Sequence, residues 1–296
     1  MNKESPRCEI CENTMLPIYN KLSTRYKTSF YKCPVCGLRW APELNIDLEL
    51  QTHLDETKRQ KALEGIRAHE YEQVNRLVKR YVDSGSCGLD VGCSYGWYMD
   101  LLSKDYYLEG IEPEEKIATQ AREKGHIVYT GYFPDDIPEN RTYDFMVFNN
   151  VWEHINHMPG LIEGTIRNLN LGGVLVITVP LSSGGLFRIA ETEERFGRTK
   201  ELARLWQLAF QSPHIYYVNK QNFRSIMMSY GFELLACEDV RDNIDPKKMK
   251  ERFEMDSDEK HGTLKATLFK ALYPMLRMLP ADKAVFVFKY MGSKKG

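Results

Sequence analysis

The stretch that most constrains this chain is CGLDVGCSYGWYMD, residues 87–100. Apolar residues flank an acid, a glycine follows, and a second glycine precedes helical sequence. That pattern describes a strand ending in a tight turn that faces a ligand. Further strand-like runs follow: YLEGIE, IVYTG, YDFMVFNN and GGVLVITVP. Helical sequence lies between most of them, at Trp97–Lys104, Glu114–Lys124 and Met158–Asn168. Strands and helices in this rhythm predict an α/β fold, a parallel sheet with right-handed crossovers. Cover on both faces explains why several strands read as near-continuous apolar runs. At 296 residues, 43% of them apolar, the chain has room for one large domain and a small accessory module.

The turn itself selects among ligands. A dinucleotide turn reads G-x-G-x-x-G and leaves a helix N-terminus bare for a pyrophosphate. Here the order is Asp90, Gly92, Ser94, Gly96. An acid in the turn repels a phosphate and suits a cationic amino group. Glu112 closes the next strand, where an acid can accept hydrogen bonds from both ribose hydroxyls. A ribose, a cationic amine and no phosphate together describe S-adenosylmethionine (SAM). Cys93 lies in the same loop and is counted with it, although its side chain, like those of Cys87 and Cys237, reads as a small buried hydrophobe. The competing role for Asp90 is a helix N-cap.

Cys8-x-x-Cys11 and Cys33-x-x-Cys36 form two knuckles about one hairpin apart. Each can present two thiolates to a tetrahedral ion, and the pair predicts a structural zinc. Iron in the same tetrahedron and unligated reduced thiols are the alternatives. CPVCG has a glycine to make its turn, whereas CEICE lacks one. Four thiolates leave no open position for catalysis. Seven cysteines with this spacing indicate reduced thiols. With a polar N-terminus and no apolar run near the roughly 20 residues of a membrane span, this predicts a cytoplasmic protein.

Three segments follow from these landmarks: a zinc-ribbon-like module over 1–45, a linker helix over 46–83, and a domain over 84–296 with a lid insertion at about 181–213. In the linker, Tyr71, Val74, Leu77, Val78 and Tyr81 share one helical face. Residues 238–261 are dense in charge and are predicted to be mobile. Charge is uneven: residues 1–40 carry +4 and 262–296 carry +6, against a total of −1, so the middle of the chain is acidic.

LDVGCSYG, GIEP, YDFMVFNNVWEHI, NLNLGGVLVITVP and SPHIYYVNKQNFRSIMMSYGF together resemble class I SAM-dependent methyltransferases. The resemblance covers roughly residues 70–237. It is closest to the subgroup with an EH pair after strand four, found in ubiquinone-type, antibiotic and polysaccharide methyltransferases. It implies a Rossmann-like seven-stranded sheet of order 3-2-1-4-5-7-6 with strand seven antiparallel; FELLAC and AVFVFKY would supply strands six and seven. It also implies that Gly92 and Gly96 let the backbone approach the methionine part, that Asp90 orients the amino group, and that Glu112 takes the ribose. Pro113 would shape the adenine wall, and Asn149 would border the methionine moiety. Ser94 stands where a glycine is commoner, which a small residue tolerates. GYF replaces the usual GD after strand three, so Tyr132 or Phe133 would pack on the base instead.

Methyl transfer needs alignment and a dry pocket, and an oxygen nucleophile also needs a proton removed. His154 and His214 are the catalytic candidates; His157 reads as surface. His154 could instead shape the cofactor site, and His214 could anchor the lid. The lid cations Arg188, Arg195, Arg198, Lys200 and Arg204 suit an anionic substrate such as a nucleotide-sugar pyrophosphate. A solvated helix face paired with Glu191, Glu193, Glu194 and Glu201 is the simpler reading. The expected acceptor is a sugar, glycan precursor or secondary metabolite, with O-methylation favoured. The alternative is an rRNA or other nucleic-acid methyltransferase with a zinc-ribbon recognition module. Its basic N-terminus fits RNA, but the near-neutral total and acidic middle do not. A zinc-ribbon binding module on an inactive methyltransferase fold is disfavoured by the intact Asp90, Gly92, Gly96 and Glu112. The basic stretch TLKATLFKALYPMLRMLP could lie on a membrane surface, although core packing or a dimer contact is simpler.

Overall fold

The computed structural model describes residues 5–50, 56–241 and 278–292, with Thr267 and Ala271. The chain opens with β1 (Leu16–Ile18), α1 (Asn20–Tyr26), β2 (Phe30–Lys32) and β3 (Arg39–Trp40), followed by the long helix α2 (Glu56–Tyr81). Then come β4 (Cys87–Val91), α3 (Trp97–Leu102), β5 (Tyr107–Glu112), α4 (Glu115–Glu123), β6 (Ile127–Thr130), β7 (Tyr143–Asn149), α5 (Met158–Asn168) and β8 (Leu169–Pro180). The insertion expected to form a lid holds α6 (Gly185–Arg195) and α7 (Lys200–Leu205) and returns through β9 (Tyr216–Tyr217). The chain closes with α8 (Lys220–Ser229), β10 (Phe232–Val240) and β11 (Lys283–Tyr290).

The main sheet has seven strands in the order β6-β5-β4-β7-β8-β11-β10. Six run in one direction, and β11 alone in this sheet runs antiparallel, against both its neighbours. This is the order and the reversed strand that the resemblance implies. The all-apolar reading of the central strands has its cause here: Leu89, Val91, Phe145, Val147, Phe148, Val176 and Ile177 are buried on one face or the other. The apolar stripe of α2 docks as its spacing requires, with Tyr71, Val74, Leu77 and Val78 buried against Tyr98, Met99 and Phe145.

The four-cysteine region is built into the same body. Strands β1, β2 and β3 form a second sheet whose fourth strand is β9, arriving from beyond the lid. Arg39 pairs with Tyr217 and Trp40 with Tyr216, and Ala41 N donates to Ile215 O at 2.9 Å. Cys8, Met15, Tyr31, Cys33 and Leu38 share one apolar core with Phe148, Trp152, Ile215 and Phe223. Tyr19, Leu22, Phe30 and Ala41 share another with Phe187, Leu202, Trp206 and Tyr217 of the lid and its return.

Two of the four acids, Glu191 and Glu194, are therefore not part of a solvated face. Glu191 accepts from Tyr19 Oη at 2.5 Å and pairs with the buried Arg39 at 2.9 Å. Glu194 takes the backbone N–H groups of Lys21 and Leu22 at the start of α1, where an acid satisfies unpaired helix donors. Only Glu193 and Glu201 make the local pairs expected on a helix surface, with Arg198 and Arg204. Most of the basic stretch before Pro280, and the charged stretch beyond Arg241, lie outside the described residues.

Candidate active site

The loop after β4 has three left-handed residues in alternation: Gly92 at φ 67°, Ser94 at 50° and Gly96 at 74°. Glycine is needed at both ends for space as well as angle. A Cβ on Gly92 would meet Val151 at 2.5 Å, and one on Gly96 would meet His126 at 2.8 Å. Ser94 fits the space but bears the cost of a left-handed backbone, so the departure from glycine concerns φ rather than size. Cys93 N donates to Ile111 O, and the thiol packs where a Cβ on Gly110 would stand. The Cys93 side chain thus faces the core.

Asp90 and Glu112 occupy the tips of adjacent parallel strands and are both buried. Glu112 fixes the loop: its Oε2 accepts from Ser94 N at 3.0 Å and its Oε1 from Glu114 N at 3.1 Å. Each oxygen keeps lone-pair capacity for another donor. Burial pushes the Glu112 carboxyl up, against the pull of those two amides. Burial, and then the Glu112 charge, push Asp90 up to about 8, opposed by Arg67. Two raised carboxyls at one strand edge form a site that favours a cation.

The opposing cation was not legible in the sequence. Arg67, on α2, acts electrostatically on Asp90, Glu112 and Glu153 at once. Burial works against its charge, but Tyr71 and Glu70 outweigh this and raise its pKa. Glu70 is itself buried and bonded to Asn150 Nδ2 and Lys283 Nζ, tying α2 to the ends of β7 and β11. The helix read as a linker lines the cleft, and its only local sequence signal is charge directly beside an apolar stripe.

The remaining predicted residues divide. Asn149 ends β7 buried, with neither Oδ1 nor Nδ2 bonded to any described residue. Pro113 lies half-buried after β5. Tyr132 is exposed, whereas Phe133 packs edge-on against Phe148 in the core, so only Tyr132 has a ring free to cover a base. The orphaned Asn149 amide, the acid pair and the glycine turn fit the amino acid and ribose portions of SAM.

His154 and His214 come together with a third residue, Glu153. The ring centroids of the histidines are 4.8 Å apart. Glu153 Oε1 lies 3.9 Å from His154 Nε2 and 3.8 Å from His214 Nε2. His154 Nδ1 lies 2.8 Å from Pro213 O, so Nδ1 carries the proton. Tyr217 Oη gives its only proton to Leu205 O, so His214 Nδ1 donates to that oxygen at 2.9 Å. His214 therefore turns an Nε2 lone pair inward, where it meets Gln207 Nε2 at 2.7 Å, and His154 Nε2 faces the same Glu153 oxygen. Burial, then His154, hold the His214 pKa well below its usual value. Burial also pushes the Glu153 carboxyl up to about 8. His157, by contrast, is exposed and lies 3.4 Å from Glu9. Among the lid cations, Arg188 and Arg198 line an open groove of about 660 Å³ with Ile189, Thr192 and Phe196.

In the cysteine cluster, Cys8 and Cys36 Sγ are 3.5 Å apart and Cys11 and Cys33 Sγ are 3.4 Å apart. All four sulfurs lie within 4.8 Å of one another, a spacing that fits one tetrahedral ion. The knuckles match in backbone: Glu12 N donates to Cys8 O, and Gly37 N to Cys33 O. Where the second uses Gly37 at φ 76°, the first places Glu12 at 57°.

No curated protein sequence matches this chain. Solved structures resemble it in fold. One is a chain of the complex between the Haloferax volcanii Trm112 methyltransferase activator and its methyltransferase: TM-score 0.55, 14% identity, 82% of this chain and 99% of that one. Another is a Galdieria sulphuraria protein described as a sarcosine dimethylglycine methyltransferase: 0.53, 13%, 84% and 94%. A third is the cyclopropane synthase MmaA2 of Mycobacterium tuberculosis: 0.53, 16%, 74% and 83%. The sequence profile of the family described as "Methyltransferase domain" matches residues 65–236, more than half of the chain. With its seven-stranded sheet and acid-lined glycine turn, the chain belongs to this family, as a SAM-dependent methyltransferase.

Proposed function

We propose that the enzyme methylates an oxygen of a small-molecule acceptor, a sugar, glycan precursor or secondary metabolite. The observation that carries this reading is the fate of three of the ribbon's six described cations. Arg39 turns inward to Glu191, Lys21 Nζ donates to Arg195 O, and Arg25 donates to Thr199. These charges are committed to the lid, whereas an RNA-reading module would present them to phosphates. A ribbon that braces a lid suits a closed pocket and a small acceptor.

In this reading Glu112 accepts from the ribose hydroxyls, while Asp90 and Asn149 hold the amino group. Gly92, Ser94 and Gly96 let the backbone approach, and Pro113 and Tyr132 flank the adenine. Arg67 is placed to pair with the methionine carboxylate. SAM supplies an activated methyl group on a sulfonium, so the chain's own part is alignment and exclusion of water. The acceptor's proton is handled at the Glu153–His154–His214 nest, just beyond the tip of β7. Zinc in the four-cysteine site has a structural role. Among the described residues no helix is long and apolar enough to cross a membrane. The deciding experiment is tritiated methyl transfer from SAM into cell extract, split into RNA, lipid and small-molecule fractions. Label in the small-molecule fraction is expected, and label confined to RNA would overturn the proposal.

A further inference from the structure

We infer that Glu153, His154 and His214 form a second metal site, distinct from the four cysteines, that takes a divalent ion of the zinc–manganese class and presents it to an acceptor hydroxyl. Two imidazole nitrogens and a carboxylate are the donor set such ions prefer, and three protein ligands leave positions open for a substrate oxygen.

The geometry is close to assembled. The three donor atoms lie within 4.8 Å of one another, and two of the separations are 3.8 and 3.9 Å. Bonds of about 2.0–2.1 Å in a tetrahedron place donors about 3.3–3.4 Å apart, so these pairs close by about 0.5 Å. Both Nδ1 protons are held by oxygen acceptors, Pro213 O and Tyr217 Oη, the support that fixes a ligating histidine's tautomer. The independent observation is Glu153 Oε2. It is fully enclosed, in a residue 3% exposed, and bonds to no described group. A carboxylate oxygen in that setting needs a proton or a cation.

Gln207 must yield, because its amide meets the His214 lone pair. It sits in a left-handed position directly after α7, on the lid. Ion binding is thereby coupled to the lid. The role toward the acceptor rests on the methyltransferase reading; the metal site itself does not. A hydroxyl coordinated at the open face loses its proton more readily, the O–H electron pair staying on oxygen and the proton passing to water.

Manganese is the discriminating probe, since thiolate sites select softer ions. Electron paramagnetic resonance titration of Mn²⁺ into the purified protein carrying a single zinc per chain is expected to show one bound Mn²⁺ per chain. Glu153→Gln and His214→Gln are each expected to weaken it by at least about tenfold. A cooperative thermal melt and retained SAM affinity establish that these variants are folded. Absence of bound Mn²⁺ in the wild type, or binding unchanged in both folded variants, overturns the site. Bound Mn²⁺ without SAM binding would sink the functional proposal and leave the metal site standing. SAM binding without Mn²⁺ would do the reverse.

Discussion

The cofactor cleft and the histidine nest lie at the same edge of the sheet but are assembled in opposite ways. Asp90 and Glu112 come from consecutive strands joined by one parallel ladder, and Glu112 is locked by the backbone amides of Ser94 and Glu114. Glu153 and His214 meet only because the lid leaves the sheet at Pro180, packs on the ribbon, and returns through β9. Ile215 N donates to Glu153 O at 2.7 Å, so the return strand anchors both. One half is local and self-supporting; the other depends on the ribbon.

The largest effect that tests this contrast is in the cofactor half. Glu112→Ala removes the proposed ribose acceptor and the amide clamp, and calorimetry is expected to show SAM affinity lowered by about 100-fold or more. Unchanged affinity would break the assignment. In the lid half, Trp206→Ala opens a cavity where Phe30, Tyr19 and Tyr217 meet edge-on. It should cost about 3–5 kcal/mol in denaturant unfolding. If the halves differ as described, SAM affinity survives at temperatures where the variant is folded, while turnover falls.

Next in size is a pH effect. Asp90 is raised to about 8 in the fold but titrates near 3.8 when unfolded, so the ligand-free fold holds a proton that the unfolded chain has lost. That contribution is complete below about pH 4 and is lost as pH rises toward 8, on the order of a few kcal/mol. Asp90→Asn should flatten this slope in melts of the SAM-free protein. An identical slope in the variant would place the titration elsewhere. The smallest effect concerns left-handed residues. Ser94→Gly and Glu12→Gly should each gain at most about 1 kcal/mol, with Ser94→Ala gaining nothing. Equal gains for alanine and glycine would mean that size, not φ, matters at Ser94.

How far the sequence could be read follows the same division. The parallel strands are legible because burial on both faces writes apolar runs, and the cofactor turn is legible because its glycines are sterically required at Gly92 and Gly96. The knuckles are legible because thiolate pairs have fixed spacing. What joins the ribbon to the rest is not. Glu191 and Glu194 read as ordinary surface acids, since nothing near them in sequence reveals Arg39 or the start of α1. Arg67 reads as part of a charged linker, because its partners Asp90 and Glu153 lie far along the chain, on β4 and just beyond β7. Glu153 was overshadowed by the histidine beside it; a buried carboxyl shows itself only through its enclosure.

The strand β3 has a further consequence when the chain is considered in the order of its synthesis. Its outer edge, at Arg39 and Trp40, is completed by Tyr216 and Tyr217. At about 5–20 residues per second, the ribosome needs roughly 10–35 s to travel between them. Throughout that interval the N-terminal strands have been made and their edge partner has not. An unpaired edge flanked by aromatics is a template for association with other chains. The nascent protein therefore passes its most vulnerable moments before the lid's return is made, and a truncation ending short of Tyr216 is the form expected to aggregate.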